Sequence, residues 1–398
     1  MMARADRSIL SEWSWTVDLY LLSAVIILIL FGVVLSFAAS PPVADRIGAG
    51  VSILAGRAHP DTFYFIKRHI AFFLLSLPIL FGASFCSVRF VRRLMTFLFF
   101  VSVVLLIAVL YLGPEIKGSQ RWIFVSGISI QPSEFIKPAF IVLSSWLFSE
   151  QARDRHIPGR SISFALLLIV MTLLLLEPDL GQAVLVAASW AIVFYVAGVP
   201  KVWGYCLGLT GICSAYGAYL KFPHFTDRID KFIKGALMRI EKGVVTQSDS
   251  FQIDKARDSF LSGGWFGRGP GEGTVKWLLP DSHADFIFAV LGEEFGIVVC
   301  LLLVSVICFV GARSLYHALR SEDLFVTYAI IGLLSLFCLQ SAVNIAVNLH
   351  LAPTTGVTLP LVSYGGSSLV TTSLSMGCLI ALCRDTPRYS YVKSRQKR

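Results

Sequence analysis

Continuous apolar runs recur along the 398 residues of this chain, near 17–39, 68–87, 94–113, 133–149, 162–176, 180–198, 203–220, 286–312, 326–347 and 367–383. A helix needs about 20 such residues to cross a bilayer. In lipid every backbone N–H and C=O has to be paired internally, so only helices and closed barrels cross it. Barrel strands are short and alternate, whereas these runs are unbroken. The expected fold is an all-α polytopic membrane protein of about ten transmembrane helices with one long extracytoplasmic loop. A hydrophobic content of 56% against 15% charged residues agrees with that. The division along the chain is a tail at 1–16, a single membrane domain at 17–383 containing the loop 221–285, and a basic tail at 384–398. The first run follows a polar stretch and lacks a small-residue cleavage site, so it reads as a retained span.

Lys and Arg in short loops set the orientation. Ten spans put both termini on one side, and the tails and loops there hold 17 Lys+Arg. The opposite short loops, with Lys137, hold 7, and the long loop holds 10, where the rule is weak. Both termini are therefore expected in the cytoplasm, in a multi-pass protein of the cell inner membrane. The net charge of +9 is then a consequence of topology, not of nucleic-acid binding. The tail residues Lys393, Arg395, Lys397 and Arg398 suit anionic lipid headgroups. The eight cysteines lie in or beside apolar runs, without metal-ligand spacing. They read as small buried hydrophobes rather than a disulfide framework or zinc site.

Ionisable groups at membrane depth are costly, and each is a functional candidate. Asp285 opens the run at 286–312, with His283 beside it. The bland role for Asp285 is to cap the helix start. Glu134 and Lys137 stand three apart inside a span, on adjacent parts of one helical face. They form either a structural ion pair or a cavity site in which Lys137 meets an anionic group. Arg121 and Trp122 read as interfacial anchors or as part of that cavity. Asp179, in the hairpin Glu177-Pro-Asp-Leu-Gly-Gln182, either complements a helix dipole or lines the outer cavity. Asp18 reads as a solvated helix start.

The long loop contains an amphipathic stretch at Asp227–Ile240, expected to lie on the membrane. It also contains Ser262-Gly-Gly-Trp-Phe-Gly-Arg-Gly-Pro-Gly-Glu-Gly-Thr-Val-Lys276, whose glycines have neither dinucleotide nor P-loop spacing. That segment reads as a mobile loop able to cover a substrate, or as a plain flexible linker. Asn344 and Asn348 share a helical face and read as helix-to-helix hydrogen-bonding groups. The segment Ala352–Ser368, rich in glycine, proline and hydroxyls and including Ser363, reads as irregular backbone lining a cavity.

Six motifs in order carry a resemblance. They are Gly118-Ser-Gln-Arg-Trp122, Gln131-Pro-Ser-Glu-Phe-Ile-Lys137, Glu177-Pro-Asp-Leu-Gly181, Gly263-Gly-Trp-Phe-Gly-Arg-Gly269, Leu279-Pro-Asp-Ser-His-Ala-Asp-Phe-Ile-Phe-Ala289 and Leu359-Pro-Leu-Val-Ser-Tyr-Gly-Gly-Ser-Ser368. The chain resembles the SEDS family of bacterial cell-wall polymerases over nearly its whole length, and most closely the division branch. It departs from the family at Ala284, where Thr is usual, and at Phe251, where Tyr is usual.

The resemblance implies a ten-helix glycosyltransferase that polymerises lipid II into glycan strands during septal cell-wall synthesis. It implies Asp285 as the catalytic residue and the Glu134/Lys137 pair in the central cavity. Arg121, Asp179, His283 and Ser363 join these as candidate substrate contacts. It further implies a class B penicillin-binding protein and other divisome membrane proteins as partners, and a septal location. The residue types fit that chemistry. A carboxylate can take the proton of an acceptor hydroxyl, and burial is expected to raise its pKa toward the working range. The leaving diphosphate calls for cations, with Lys137 and Arg121 as candidates, or for a divalent ion such as Mg or Mn. The competing readings are an elongation-branch polymerase, a lipid II flippase and a division scaffold. A flippase needs a polar path from the cytoplasm, and the polar residues gather in the outer half. A scaffold has no need of charges inside the membrane.

Overall fold

The computed structural model describes residues 9–55, 64–114, 120–125, 128–198, 251–279 and 282–384, with single positions at 208, 209, 217, 226 and 230. Apart from those single positions, the run at 203–220, the amphipathic stretch at 227–240 and the tail beyond Arg384 lie outside the described residues. Among the described residues, the other nine apolar runs all coincide with helices. These are α2 (Leu19–Ala55), α3 (Tyr64–Ser84), α4 (Val88–Leu112), α5 (Pro132–Arg153), α6 (Gly159–Leu176), α7 (Leu180–Val196), α9 (Ile287–Arg320), α10 (Leu324–Asn348) and α11 (Gly366–Leu382). Two more helices flank them, α1 (Ile9–Thr16) and α8 (Phe251–Gly263). Six segments among the described residues are long and apolar enough to cross a membrane, in α2, α3, α4, α6, α9 and α10, while α7 and α11 are apolar but shorter. A count of ten crossings is thus not reached on the described residues. A short antiparallel hairpin that the sequence did not announce precedes α5. It pairs β1 (Ile123–Val125) with β2 (Ile128–Ile130), with Ile123 opposite Ile130.

Local chemistry starts several helices. Ser87 accepts from Phe90 N at 3.3 Å ahead of α4, and Asp323 accepts from Phe325 N at 3.0 Å ahead of α10. Both satisfy helix-start amides that otherwise lack partners. Pro132 occupies the first position of α5, where its missing N–H costs nothing.

Burial sorts the helices into inner and outer. Along α5 nearly every position is buried, including Ile136, Phe140, Ile141 and Phe148, as expected of a helix surrounded by others. It packs on α4, α6, α7 and α10, while α3 pairs with α11 and α9 lies between α2, α8 and α10. Outer helices keep an exposed apolar face, with Phe97, Phe100 and Val104 on α4 and Leu301 and Leu302 on α9. In a bilayer such faces meet acyl chains.

The Lys/Arg-rich end of the bundle is tied by polar contacts. Asp18 is buried, which corrects its reading as a solvated helix start. Its Oδ1 accepts from Tyr20 N at 3.0 Å and Leu21 N at 3.2 Å, capping α2. Its Oδ2 accepts from Arg313 Nε at 2.6 Å and meets His317 Nε2 at 2.5 Å, joining α2 to α9. Burial alone would raise the Asp18 pKa, but the bonds from His317, Arg313 and the Leu21 amide outweigh it and hold the carboxyl below its ordinary value. Arg384 binds Thr16 Oγ1 at 3.1 Å and the carbonyls of Ser84 and Phe85, fastening the end of α11 to α1 and α3.

Candidate active site

At the opposite end, the motifs converge. Lys137 and Glu134 are almost fully buried on α5, with Nζ 2.8 Å from Glu134 Oε2. The same Nζ donates to Gln182 Oε1 of α7 at 2.6 Å and to Gln340 Oε1 of α10 at 3.4 Å. Gln182 Nε2 closes the ring on Glu134 Oε1 at 2.7 Å. Three ammonium protons thus have three acceptors. The two glutamines could not have been picked from sequence, because nothing distinguishes them from other polar residues in apolar runs. Beside the ring lies a cavity of about 20 Å3, lined by Glu134, Lys137, Gln340, Pro360, Thr371 and Ser375 among others. That is room for about one water.

Arg121 sits above the hairpin between α6 and α7. Its Nε donates to Glu177 O at 3.2 Å, another nitrogen donates to Pro178 O, and a third stands 3.8 Å from Asp179 Oδ1. Asp179 Oδ2 accepts from Gln131 Nε2 at 3.2 Å. The guanidinium therefore binds the hairpin itself. Glu177 is fully buried, and neither carboxyl oxygen has a hydrogen-bond partner. Burial, reinforced by the Asp179 charge, pushes its pKa up to about 8 despite Arg121. Burial also raises Asp179, again against the pull of Arg121.

Asp285 is half-buried just ahead of α9. Its main-chain oxygen accepts from Asn344 Nδ2 at 3.0 Å and Asn348 Nδ2 at 2.9 Å. Asn348 Oδ1 accepts from Ala289 N at 3.1 Å, so the start of α9 is capped from α10. These asparagines were expected to join helices. They do, from α10 to the start of α9, and in doing so they hold the Asp285 backbone and supply the cap that the bland reading assigned to Asp285. Asn344 Nδ2 also donates to Val357 O at 2.8 Å, and Gln340 Nε2 to Thr358 O at 3.1 Å. One face of α10 thereby links Lys137 to Asp285 through the irregular segment at 357–358.

Ser363 supports the same loop. Its hydroxyl donates to Ala284 O at 2.6 Å and accepts from Leu359 N at 2.8 Å. It positions residue 284 by the main chain, so the Ala284 departure removes nothing from that contact. Tyr364 N donates to His283 O at 3.0 Å, and the two rings lie 5.1 Å apart. On the other side of Tyr364, at 5.8 Å, is His69 of α3, buried, with Nδ1 2.9 Å from Ser36 Oγ and Nε2 without a partner. His69 stands at the start of the run at 68–87, outside all six motifs.

The glycine-rich segment is docked rather than loose. Gly296 breaks α9 with φ +79° and ψ 178°, a conformation that strongly favours glycine. Across that break Ile297 N donates to Gly264 O at 3.0 Å and Val298 N to Trp265 O at 3.2 Å. Arg268 N and Gly269 N donate to Glu293 O and Glu294 O, each at 3.0 Å. The buried Glu293 carboxylate accepts the amides of Thr274, Val275 and Lys276 at 2.6, 2.7 and 2.8 Å. Lys276 Nζ pairs with Glu294. The expectation of a mobile cover is corrected: within 264–276 the backbone is strapped to α9. Glu293 and Glu294 were read as part of an apolar run, and only their buried contacts expose their role.

A profile of the FtsW, RodA and SpoVE family, described as cell cycle proteins, matches residues 18–387. The chain belongs to this family. A probable peptidoglycan glycosyltransferase FtsW of Caulobacter vibrioides is 40% identical over 97% of the chain and 94% of the relative. The stage V sporulation protein E of Bacillus subtilis is 31% identical over 92% of the chain and 97% of the relative. Among solved structures, the rod shape determining protein RodA of Thermus thermophilus matches with TM-score 0.62 and 25% identity, over 92% of this chain and 96% of that one. A chain from a peptidoglycan synthase complex matches with TM-score 0.71 and 24% identity, over 92% and 97%. The membership extends across every element that builds the site, from α2 to α11 of this FtsW/RodA/SpoVE protein.

Proposed function

We infer that this chain is a peptidoglycan glycosyltransferase of the cell inner membrane that polymerises lipid II during division, with Asp285 as general base. One observation carries the residue assignment. The Asp285 main chain is gripped by Asn344 and Asn348, and α9 is capped by Asn348, so the carboxylate is not needed as the cap. In this reading both termini are cytoplasmic and the Asp285 end faces outward, as the Lys/Arg count requires.

The reaction follows from that placement. The oxygen of an acceptor sugar hydroxyl attacks the anomeric carbon of a diphosphate-linked sugar. Its proton passes to the Asp285 carboxylate, worth about 10²–10⁴-fold. The bond from the anomeric carbon to the diphosphate oxygen breaks, and that oxygen keeps the electron pair. The candidate cations are Lys137 and Arg121. Both are engaged, so their part is to fix the field that receives the anion. Among the described residues no three metal-ligating side chains stand together. A divalent ion such as Mg or Mn, held by the diphosphate and one or two carboxylates, would supply further positive charge to the leaving group. A class B penicillin-binding protein and other divisome proteins complete the proposed assembly at the septum.

Asp285→Asn tests the assignment. The variant is expected to insert and melt within about 1 kcal/mol of wild type, because the α9 start is capped by Asn348 and position 285 is held by its main chain. It is expected to make no glycan from lipid II in reconstituted membranes. Near-normal glycan synthesis would remove Asp285 from the mechanism.

A further inference from the structure

The docked glycine loop carries two aromatic side chains out of the protein. Trp265 is 67% exposed and Phe266 84% exposed. Their backbone is nevertheless fixed. A Cβ at position 296 would lie 2.4 Å from Trp265 O and 2.6 Å from Phe266 C, so the tip rests against the break in α9. Two large rings held outward by a rigid backbone need a surface to cover them.

Depth identifies that surface. From Gly296, α9 runs unbroken to Arg320, 24 residues on, a rise of about 36 Å. After a three-residue turn α10 returns from Leu324. It reaches Asn344 after a rise of about 30 Å and Asn348 after about 36 Å. The Asp285 carbonyl, held by those asparagines, and the aromatic tip, held at Gly296, therefore stand at one level above the basic end. The hydrocarbon layer is about 30 Å thick. Both features fall where acyl chains give way to headgroups, the level at which tryptophan is enriched. The apolar surface is also continuous. Val298, Leu301 and Leu302 lie exposed on α9 next to the tip, and Leu261, 68% exposed, ends α8 beside it.

We propose that Trp265 and Phe266 seat the glycine loop in the outer leaflet, covered by phospholipid, and that this seat holds Asp285 at the depth of a lipid-linked diphosphate. The second half rests on the glycosyltransferase reading; the first half does not. Removing the rings leaves the loop strapped to α9 but frees the outer end of the bundle to ride at another depth. The carboxylate then moves relative to the phosphate plane.

The test places p-benzoylphenylalanine at position 266 of the full chain in nanodiscs of phosphatidylethanolamine and phosphatidylglycerol. Irradiation is followed by intact-mass measurement. Phospholipid adducts are expected at a yield like that of the same group at position 302, on the lipid face of α9. The exposed position 272 should give none. Absence of lipid adducts at 266, or adducts only to a co-reconstituted transpeptidase, overturns the seat. In parallel, Trp265→Asp with Phe266→Asp should lower glycan synthesis at least tenfold at unchanged Tm, while leucine at both positions keeps it within twofold. Normal synthesis by the aspartate pair overturns the link to Asp285. If wild type itself makes no glycan, the glycosyltransferase reading fails, and the adduct measurement still decides the lipid seat.

Discussion

Lys137 shows how a buried charge is retained. Its ammonium meets Glu134, Gln182 and Gln340, each on a different helix except the first, which shares α5. Taking such charges out of water is costly, and removing one partner leaves the other uncompensated. Lys137→Met is expected to cost about 3–5 kcal/mol. Adding Glu134→Leu should recover most of that loss, because no lone charge then remains. Melting of the single and double variants in detergent measures both, and an unchanged Tm in the single variant would show that the ring does not hold the helices. Glycan synthesis should stay low in both, since the field beside the cavity is gone in either case.

At the scale of elements, the α6–α7 hairpin links stability to pH. Glu177 has a folded pKa of about 8 against an ordinary 4.5, so the folded state holds a proton that the unfolded chain releases. Its contribution is fully present below about pH 4.5 and is lost as pH rises toward 8. Asp179, also raised, acts in the same sense. Tm should fall across that window, and Glu177→Gln should flatten the fall and raise Tm at pH 8. A wild-type profile that rises instead would contradict the buried, unpartnered carboxyl. The α8–α9 contact makes a second prediction. A Cβ at Gly263 would stand 2.0 Å from Gly292 O, which is backbone and cannot turn away. Gly263→Ala should cost about 1–3 kcal/mol by overpacking and slow glycan synthesis with it. Wild-type stability in that variant would mean that α8 does not lie so close to α9.

For the whole molecule, the proposed partnership predicts kinetics. The purified chain alone should polymerise lipid II slowly, and adding its class B transpeptidase should raise the rate severalfold; a rate unmoved by the partner would count against a working complex. The sequence by itself determined the helical membrane architecture, because unbroken apolar runs of that length leave lipid no other solution. It also singled out Glu134 and Lys137 inside a run and Asp285 at the mouth of another, because ionisable groups at membrane depth are costly. It did not determine what those charges touch. Asn344 and Asn348 lie about 60 residues after Asp285, and Gln182 and Gln340 stand on other helices than Lys137; only packing brings them into reach. Nor could it tell that the glycine loop is strapped down. That depends on the Gly296 break and on carboxylates whose hydrogen bonds exist only once α8 and α9 have met. Local pattern fixes what lipid demands of each segment, whereas the partners of a buried polar group are decided by which helices end up side by side.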